Sequence, residues 1–81
     1  MIDAPKLSQL LIGESATIAK FNDNFVSLKL MEMGCMVGES FVMERVAPFG
    51  DPIIIKISGY LMTMRRSEAD TIEISRNPSL T

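Results

Sequence analysis

The feature that most restricts the fold of this chain is a stretch rich in proline and glycine at residues 47–52, Ala-Pro-Phe-Gly-Asp-Pro. Proline lacks a backbone N–H and fixes its own φ angle, so this composition excludes a helix or a central strand. The residues that follow, Ile53 to Ser58, are mostly β-branched, which favours an extended strand. The sequence therefore predicts a stiff loop that leads directly into a strand.

Further segments show the short apolar pattern of β-strands, at residues 14–21, 40–46, 60–65 and 71–75. Ser58-Gly59 is a tight-turn signal between two of the apolar runs, so the third and fourth strands should form a hairpin. Closing such a sheet on itself removes most of its unpaired edges, which are the main liability of a small β domain. We therefore expect a small antiparallel barrel.

A single short helix is predicted between the first two strands. The cluster Asn22–Asn24 supplies N-cap residues, and Val26, Leu30 and Met33 recur on one helical face. Gly34 follows, where a helix commonly ends in a left-handed residue. The short strands and the position of this helix favour an all-β fold with one short helix, a small five-stranded SH3-like barrel, over an OB-fold.

The length of 81 residues indicates one domain. We predict a single SH3-like domain over residues 1–75 and a loose C-terminal tail over residues 76–81. One helical turn with Ser67 as its N-cap should precede the last strand. The expected core residues are Ile18, Leu30, Phe41, Met43, Ile53, Ile55, Ile57, Met62, Ile72 and Ile74.

The composition argues against an enzyme. The chain has no histidine, which removes the commonest general base and excludes a Ser-His or Cys-His nucleophile pair. Cys35 is the only cysteine, so neither an internal disulfide nor a structural zinc site can form, and its apolar neighbours predict a buried, inert thiol. The carboxylates follow no recognisable ligand spacing, and the seven methionines suit a core or contact surface better than a copper site. We predict no catalytic residue, no cofactor and no dedicated metal site, and weak Fe(II) binding stays open.

The charge pattern excludes other classes of partner. The net charge is -2, and the only basic run is Arg65-Arg66. We interpret this pair as solvated charge at a strand end, so we expect no binding to nucleic acid. No stretch reaches the ~20 apolar residues that a membrane span needs. The segment Met1 to Lys6 lacks the apolar region of a secretory signal. We expect a cytoplasmic protein that does not insert into membranes.

Several motifs together resemble the ferrous iron transport protein A family. They are Leu30–Gly34, Gly38 and Arg45–Ile53, and the similarity continues through Gly59, Met64-Arg65 and Glu68-Ala69 to Ile72. The most specific part is the block A-P-x-G-D-P-I, and its distance from the Met33-Gly34 pair fits the family. The sequence departs at Val37, where the family often has proline.

The resemblance implies a cytoplasmic accessory role in bacterial ferrous iron uptake. The implied partner is ferrous iron transport protein B, a membrane permease with a cytoplasmic GTP-binding domain, and the implied mode of action is protein–protein contact. Similar barrels form the C-terminal domains of iron-dependent repressors. Two alternatives therefore stay open, a sensor domain that binds Fe(II) or another transition metal, and a stand-alone repressor-type SH3-like domain. Self-association also stays open.

The predicted partner-binding site is the loop after the second strand together with nearby cations. Its residues are Arg45, Pro48, Phe49, Gly50, Asp51 and Arg65, with Lys29 on the helix as an alternative contact. Phenylalanine at the apex of a stiff loop is poorly placed for the core and well placed as an anchor. Flanking arginines can form bidentate bonds to an acidic partner. A purely structural role in fixing the turn is also compatible with the same residues.

Overall fold

The structure, a computed structural model, describes residues 4–76. A 3-10 turn and the regular elements follow one another in this order: the 3-10 turn Leu7–Gln9, β1 Ser15–Phe21, α1 Asn24–Glu32, β2 Ser40–Val46, β3 Ile53–Ile57, β4 Tyr60–Met64, α2 Arg66–Ala69 and β5 Ile72–Arg76. The predicted order of five strands with one helix between the first two is confirmed, and the strand ends fall within one residue of their predicted positions.

The strands form one antiparallel sheet in the order β4-β3-β2-β1-β5. Its register shifts between Met43 and Arg45 in β2 and between Ile18 and Lys20 in β1. Bulges of this kind bend a strand and increase its twist, which allows a short sheet to curl around one core. The β3–β4 hairpin turns at Ser58 and Gly59, whose φ angles of 53° and 83° match the left-handed two-residue turn that the sequence predicts.

The core consists of the inward-facing strand residues and residues that close the ends of the barrel. All ten predicted core residues are buried: nine alternate along strands with outward-facing positions, and Leu30 lies on α1. The remaining buried residues are Leu7, Leu10, Ala16, Cys35, Met64 and Ala69.

Burial raises the pKa of the Cys35 thiol to about 11, with a smaller contribution from the charge of Glu39, so Cys35 is protonated at neutral pH.

Helix α1 begins and ends as the sequence predicts. The Asp23 carboxylate accepts a hydrogen bond from the backbone N–H of Val26 at 3.0 Å, and Gly34 follows the helix with a φ of 95°. Leu30 is buried and Val26 is half-buried, but Met33 is exposed. The sequence placed Met33 on the same helical face, but the helix ends at Glu32 and Met33 is its C-cap residue.

Two boundary predictions are also wrong. The N-cap of α2 is Arg65 and not Ser67, because the carboxylates of Asp51 and Glu68 accept the N–H groups of Arg66 and Arg65 and start the helix earlier. Arg76 was assigned to the tail but belongs to β5, where it pairs with β1. The rest of the predicted tail lies outside the described residues. Within residues 4–76, no helix has the length and apolar composition needed to cross a membrane.

Candidate partner-binding site

The loop between β2 and β3 is closed by its own backbone. The N–H of Gly50 donates to the carbonyl of Ala47 at 2.8 Å, and the N–H of Ala47 donates to the carbonyl of Pro52 at 3.0 Å. Gly50 has a φ of 87°, a conformation that other residues adopt only at a cost. These bonds and the two prolines hold the backbone of residues 47–52 in one arrangement.

Arg66 anchors this loop to two other parts of the chain. Its Nε donates to the carbonyl of Gly50 and its Nη1 to the carbonyl of Ser8, both at 2.9 Å. The backbone N–H of Arg66 donates to the Asp51 carboxylate at 2.9 Å. The interpretation of Arg66 as solvated charge is therefore wrong, because its guanidinium bridges the carbonyls of two segments that are distant in sequence. Gly50 and Asp51 accordingly serve the fold as well as the candidate site.

Phe49 forms the exposed tip of the loop. Its side chain is 98% exposed, so the expectation that it lies outside the core is confirmed. Pro48 beside it is also exposed. A large aromatic side chain on a rigid support loses little entropy on docking, which is the property of a hot-spot anchor.

Arg45 and Arg65 lie on the same side of the sheet near the base of the loop. Arg45 is opposite Ile54 in β3, and Ile54 is opposite Thr63 in β4. Facing residues on neighbouring strands have Cβ atoms ~5 Å apart, so these three side chains form a row across the sheet. Arg65 follows β4 and continues its outward alternation after Thr63. Among residues 4–76, neither guanidinium forms a hydrogen bond or an ion pair, and Arg65 has only a Coulombic attraction to Glu68.

An open cavity of about 350 Å³ lies beside this row, and no sequence pattern predicts it. It is lined by Lys29, Asp51, Pro52, Thr63, Met64, Arg65 and Glu68. Lys29 on α1 reaches across it, and its Nζ is 2.6 Å from Oε2 of Glu68 on α2. Lys29 was expected to be an alternative to the loop, but the structure brings it together with Asp51 and Arg65 in one cavity.

The charge state of Glu68 follows from its contacts. The hydrogen bond from Lys29 holds the pKa of the Glu68 carboxyl below its usual value, and the hydrogen bond from the backbone N–H of Arg65 acts in the same direction. The Glu68 side chain is only 15% exposed, whereas that of Lys29 is 58% exposed. Glu68 is therefore ionised at neutral pH, and the Lys29 ammonium keeps access to solvent.

Metal-ligating residues do not cluster in the described part of the chain. Over residues 4–76, no three side chains of Asp, Glu or Cys converge to hold a metal ion. The candidate site thus consists of an aromatic tip, two exposed arginines and a cavity lined by two cations and two carboxylates.

The bent five-stranded sheet and the helix between its first two strands define a small β-barrel domain of the SH3-like class. Residues 6–76 match the FeoA domain, and the chain belongs to the FeoA family. The resemblance found in the sequence is confirmed.

A curated relative joins this domain to a transporter. The Fe(2+) transport protein A/Fe(2+) transporter FeoB fusion protein of Porphyromonas gingivalis is 33% identical over 70 residues, which are 85% of this chain and 8% of the fusion protein. The chain therefore spans only a small part of the length of this relative.

Solved structures share the fold over most of the chain. The FeoA protein of Chlorobium tepidum is 37% identical, with a TM-score of 0.84 over 89% of this chain and 70% of that chain. The zinc complex of Stenotrophomonas maltophilia FeoA, described as a procaryotic SH3 domain protein, is 26% identical, with a TM-score of 0.76 over 89% of this chain and 91% of that chain. A manganese-dependent transcriptional repressor shares the fold alone, at 15% identity and a TM-score of 0.80, over 94% of this chain and 43% of that chain.

Proposed function

We propose that this FeoA-family protein acts in the cytoplasm as an accessory protein of ferrous iron transport that binds the cytoplasmic part of a ferrous iron permease. The observation that carries the proposal is the P. gingivalis relative, in which a similar domain and the transporter FeoB form one polypeptide. A covalent tether keeps two domains at an effective concentration of about millimolar. A separate chain must obtain the same proximity through a contact surface.

The surface best suited to this contact is the loop that carries Phe49. The loop backbone is fixed by its internal bonds and by Arg66, so docking costs little conformational entropy. The exposed ring provides the apolar anchor, and Arg45 and Arg65 provide charge at its base. This combination of a rigid aromatic and flanking arginines is typical of interface hot spots.

The direct test measures binding of the purified chain to the isolated cytoplasmic GTP-binding domain of the permease by calorimetry. We expect Phe49→Ala to weaken binding by about 30-fold, which corresponds to ~2 kcal/mol. Phe25→Ala is the matched control, because Phe25 on α1 is also an exposed phenylalanine, at 87%. Thermal unfolding of both variants should match the wild-type protein, since neither ring is buried.

The calorimetry and the unfolding measurements separate the function from the contact surface. If the wild-type chain does not bind the permease domain, the proposed function is overturned. Binding that Phe25→Ala impairs and Phe49→Ala does not would move the contact surface to α1. A lowered thermal midpoint for Phe49→Ala would show that the ring supports the fold instead of a partner.

We further propose that the chain neither hydrolyses GTP nor retains a metal ion. The alternative of a metal sensor is favoured by the zinc complex of the S. maltophilia relative, so it needs its own test. Stoichiometric iron or zinc that stays with the purified protein through dialysis against a weak chelator would support the sensor. The repressor-type alternative has only the shared fold in its favour.

A further inference from the structure

The cavity beside the loop contains hydrogen-bond donors that no group within residues 4–76 uses. The Arg65 guanidinium offers five N–H donors, and the ammonium of Lys29 offers three, of which one is used by Glu68. The carboxylates of the cavity are already engaged within the chain. Glu68 accepts from Lys29 and from the backbone N–H of Arg65, and Asp51 accepts from the backbone N–H of Arg66. A ligand that completes this cavity must therefore bring acceptors.

The shape of the donors favours a planar acceptor. A guanidinium presents two parallel N–H groups that match the two oxygens of a carboxylate. The walls also include Pro52 and Thr63, whose apolar atoms suit the methylene groups of an aspartate or glutamate side chain. The cavity is open to solvent on one side, so a side chain on another protein can enter it.

The charge of the walls argues against a phosphate group. Asp51 and Glu68 place two negative charges beside Lys29 and Arg65, so the lining residues are neutral as a set. A phosphate monoester carries a charge of about −1.5 to −2 at neutral pH and costs more to desolvate than a carboxylate with a single charge, and the lining has no net positive charge to offset that cost. A single carboxylate is therefore the anion that matches the paired donors at the lower desolvation cost.

We propose that this cavity receives an aspartate or glutamate side chain from the partner protein, with Arg65 as its bidentate ligand and Lys29 as a second donor. The identity of the partner as the permease rests on the proposed function, but the chemistry of the cavity does not. Phe49 and the cavity then form one surface, since Asp51 and Pro52 connect the tip of the loop to the cavity wall.

The cavity is tested without the permease by NMR titration of the isotope-labelled chain. The probes are two blocked pentapeptides, N-acetyl-Gly-Leu-Asp-Leu-Gly-amide and the same peptide with Asn in place of Asp, together with inorganic phosphate. We expect the Asp peptide at millimolar concentration to give saturable shifts at Lys29, Thr63 and Arg65, including the Arg65 side-chain N–H groups. The Asn peptide and phosphate should give no comparable shifts at these residues. Equal responses to both peptides, or none to either, would overturn the inference.

Variants separate a specific carboxylate site from general attraction between charges. Arg65→Gln should abolish the shifts, and Arg65→Lys should retain only part of the affinity, because lysine keeps the charge and loses the bidentate geometry. Lys56→Gln is the matched control, since Lys56 is an exposed cation on β3 that does not line the cavity. It should leave the titration unchanged. Equal losses for Arg65→Gln and Lys56→Gln would show that the peptide senses only overall charge.

The same variants distinguish failure of the cavity from failure of the proposed function. In calorimetry with the permease domain, Arg65→Gln should weaken binding by at least about 10-fold. The thermal midpoint should change little, because within residues 4–76 its guanidinium forms no hydrogen bond or ion pair and has only a Coulombic attraction to Glu68. If the Asp peptide gives specific shifts but the permease domain does not bind, the carboxylate site is supported and the permease is rejected as its partner. If Arg65→Gln binds the permease domain normally and the Asp and Asn peptides give the same shifts, the carboxylate site is rejected and the proposed function stands.

Discussion

Replacing Arg66 should destabilise the domain far more than replacing its neighbour Arg65. Arg66→Met removes two side-chain hydrogen bonds at 2.9 Å, to the carbonyls of Gly50 and Ser8, and leaves both carbonyls partly buried. Hydrogen bonds with a charged donor contribute ~1.5–3 kcal/mol each, and partial exposure favours the lower limit. We expect the free energy of unfolding to fall by about 2–3 kcal/mol in total, a large share of the stability of a small domain.

The assay is urea unfolding followed by far-UV circular dichroism, with thermal unfolding as a second measurement. A loss of 2–3 kcal/mol should lower the thermal midpoint of a domain of this size by roughly 10–15 °C. Arg65→Met is the control, because it makes the same substitution at an exposed side chain and should change stability by less than about 0.5 kcal/mol. Equal stability of the two variants would refute the reasoning that Arg66 holds three segments together.

Other substitutions test the core, the ion pair and the end of α1. Ile55→Ala should cost ~2–5 kcal/mol in urea unfolding, because Ile55 is fully buried and truncation leaves a cavity; a smaller cost would contradict a well-packed core. Glu68→Gln should destabilise by about 1 kcal/mol at pH 7, through loss of the charged bond to Lys29. The folded-state pKa of Glu68 is lowered, so the stability difference between the wild-type protein and Glu68→Gln should be complete above pH 4.5 and disappear as the pH falls through that lowered pKa. A stability difference that does not change with pH would contradict the ion pair between Glu68 and Lys29. Gly34→Ala should destabilise by more than about 1 kcal/mol, because φ is 95° and the new Cβ would lie 2.7 Å from Oη of Tyr60; unchanged thermal unfolding would refute this.

The parts of the fold that could be predicted from the sequence are those set by local patterns. The alternation of apolar residues fixes which side of each strand is buried, and it identified nine of the ten expected core residues; the tenth, Leu30, follows from the helical spacing in α1. Turn and cap residues act on their immediate neighbours, so the Ser58-Gly59 hairpin and the two ends of α1 were also predictable. Leu7 and Leu10 lie outside the strands and α1, so only tertiary packing places them in the core.

The parts that could not be predicted depend on residues far apart in the chain. Arg66 bonds to carbonyls 16 and 58 positions away, and Lys29 pairs with Glu68 39 positions away. No local pattern distinguishes Arg66 from Arg65, although within residues 4–76 the Arg66 side chain forms hydrogen bonds and the Arg65 side chain forms none. The cavity was missed for the same reason, since its walls come from four separate segments that meet only in the folded barrel.

The chain enters and leaves the barrel side by side. The N–H of Ile74 donates to the carbonyl of Pro5 at 3.0 Å, and Lys6 forms a bridge with Glu73 next to the β1–β5 pair. A short linker could therefore join the two ends, and new ends could be opened at the exposed Ser58-Gly59 turn, without breaking the sheet order. Such a circular permutant should fold and keep the Phe49 loop intact. The closeness of Pro5 to Ile74 makes the domain an insertable module, because a longer polypeptide can carry it between two of its own segments while the Phe49 loop stays undistorted.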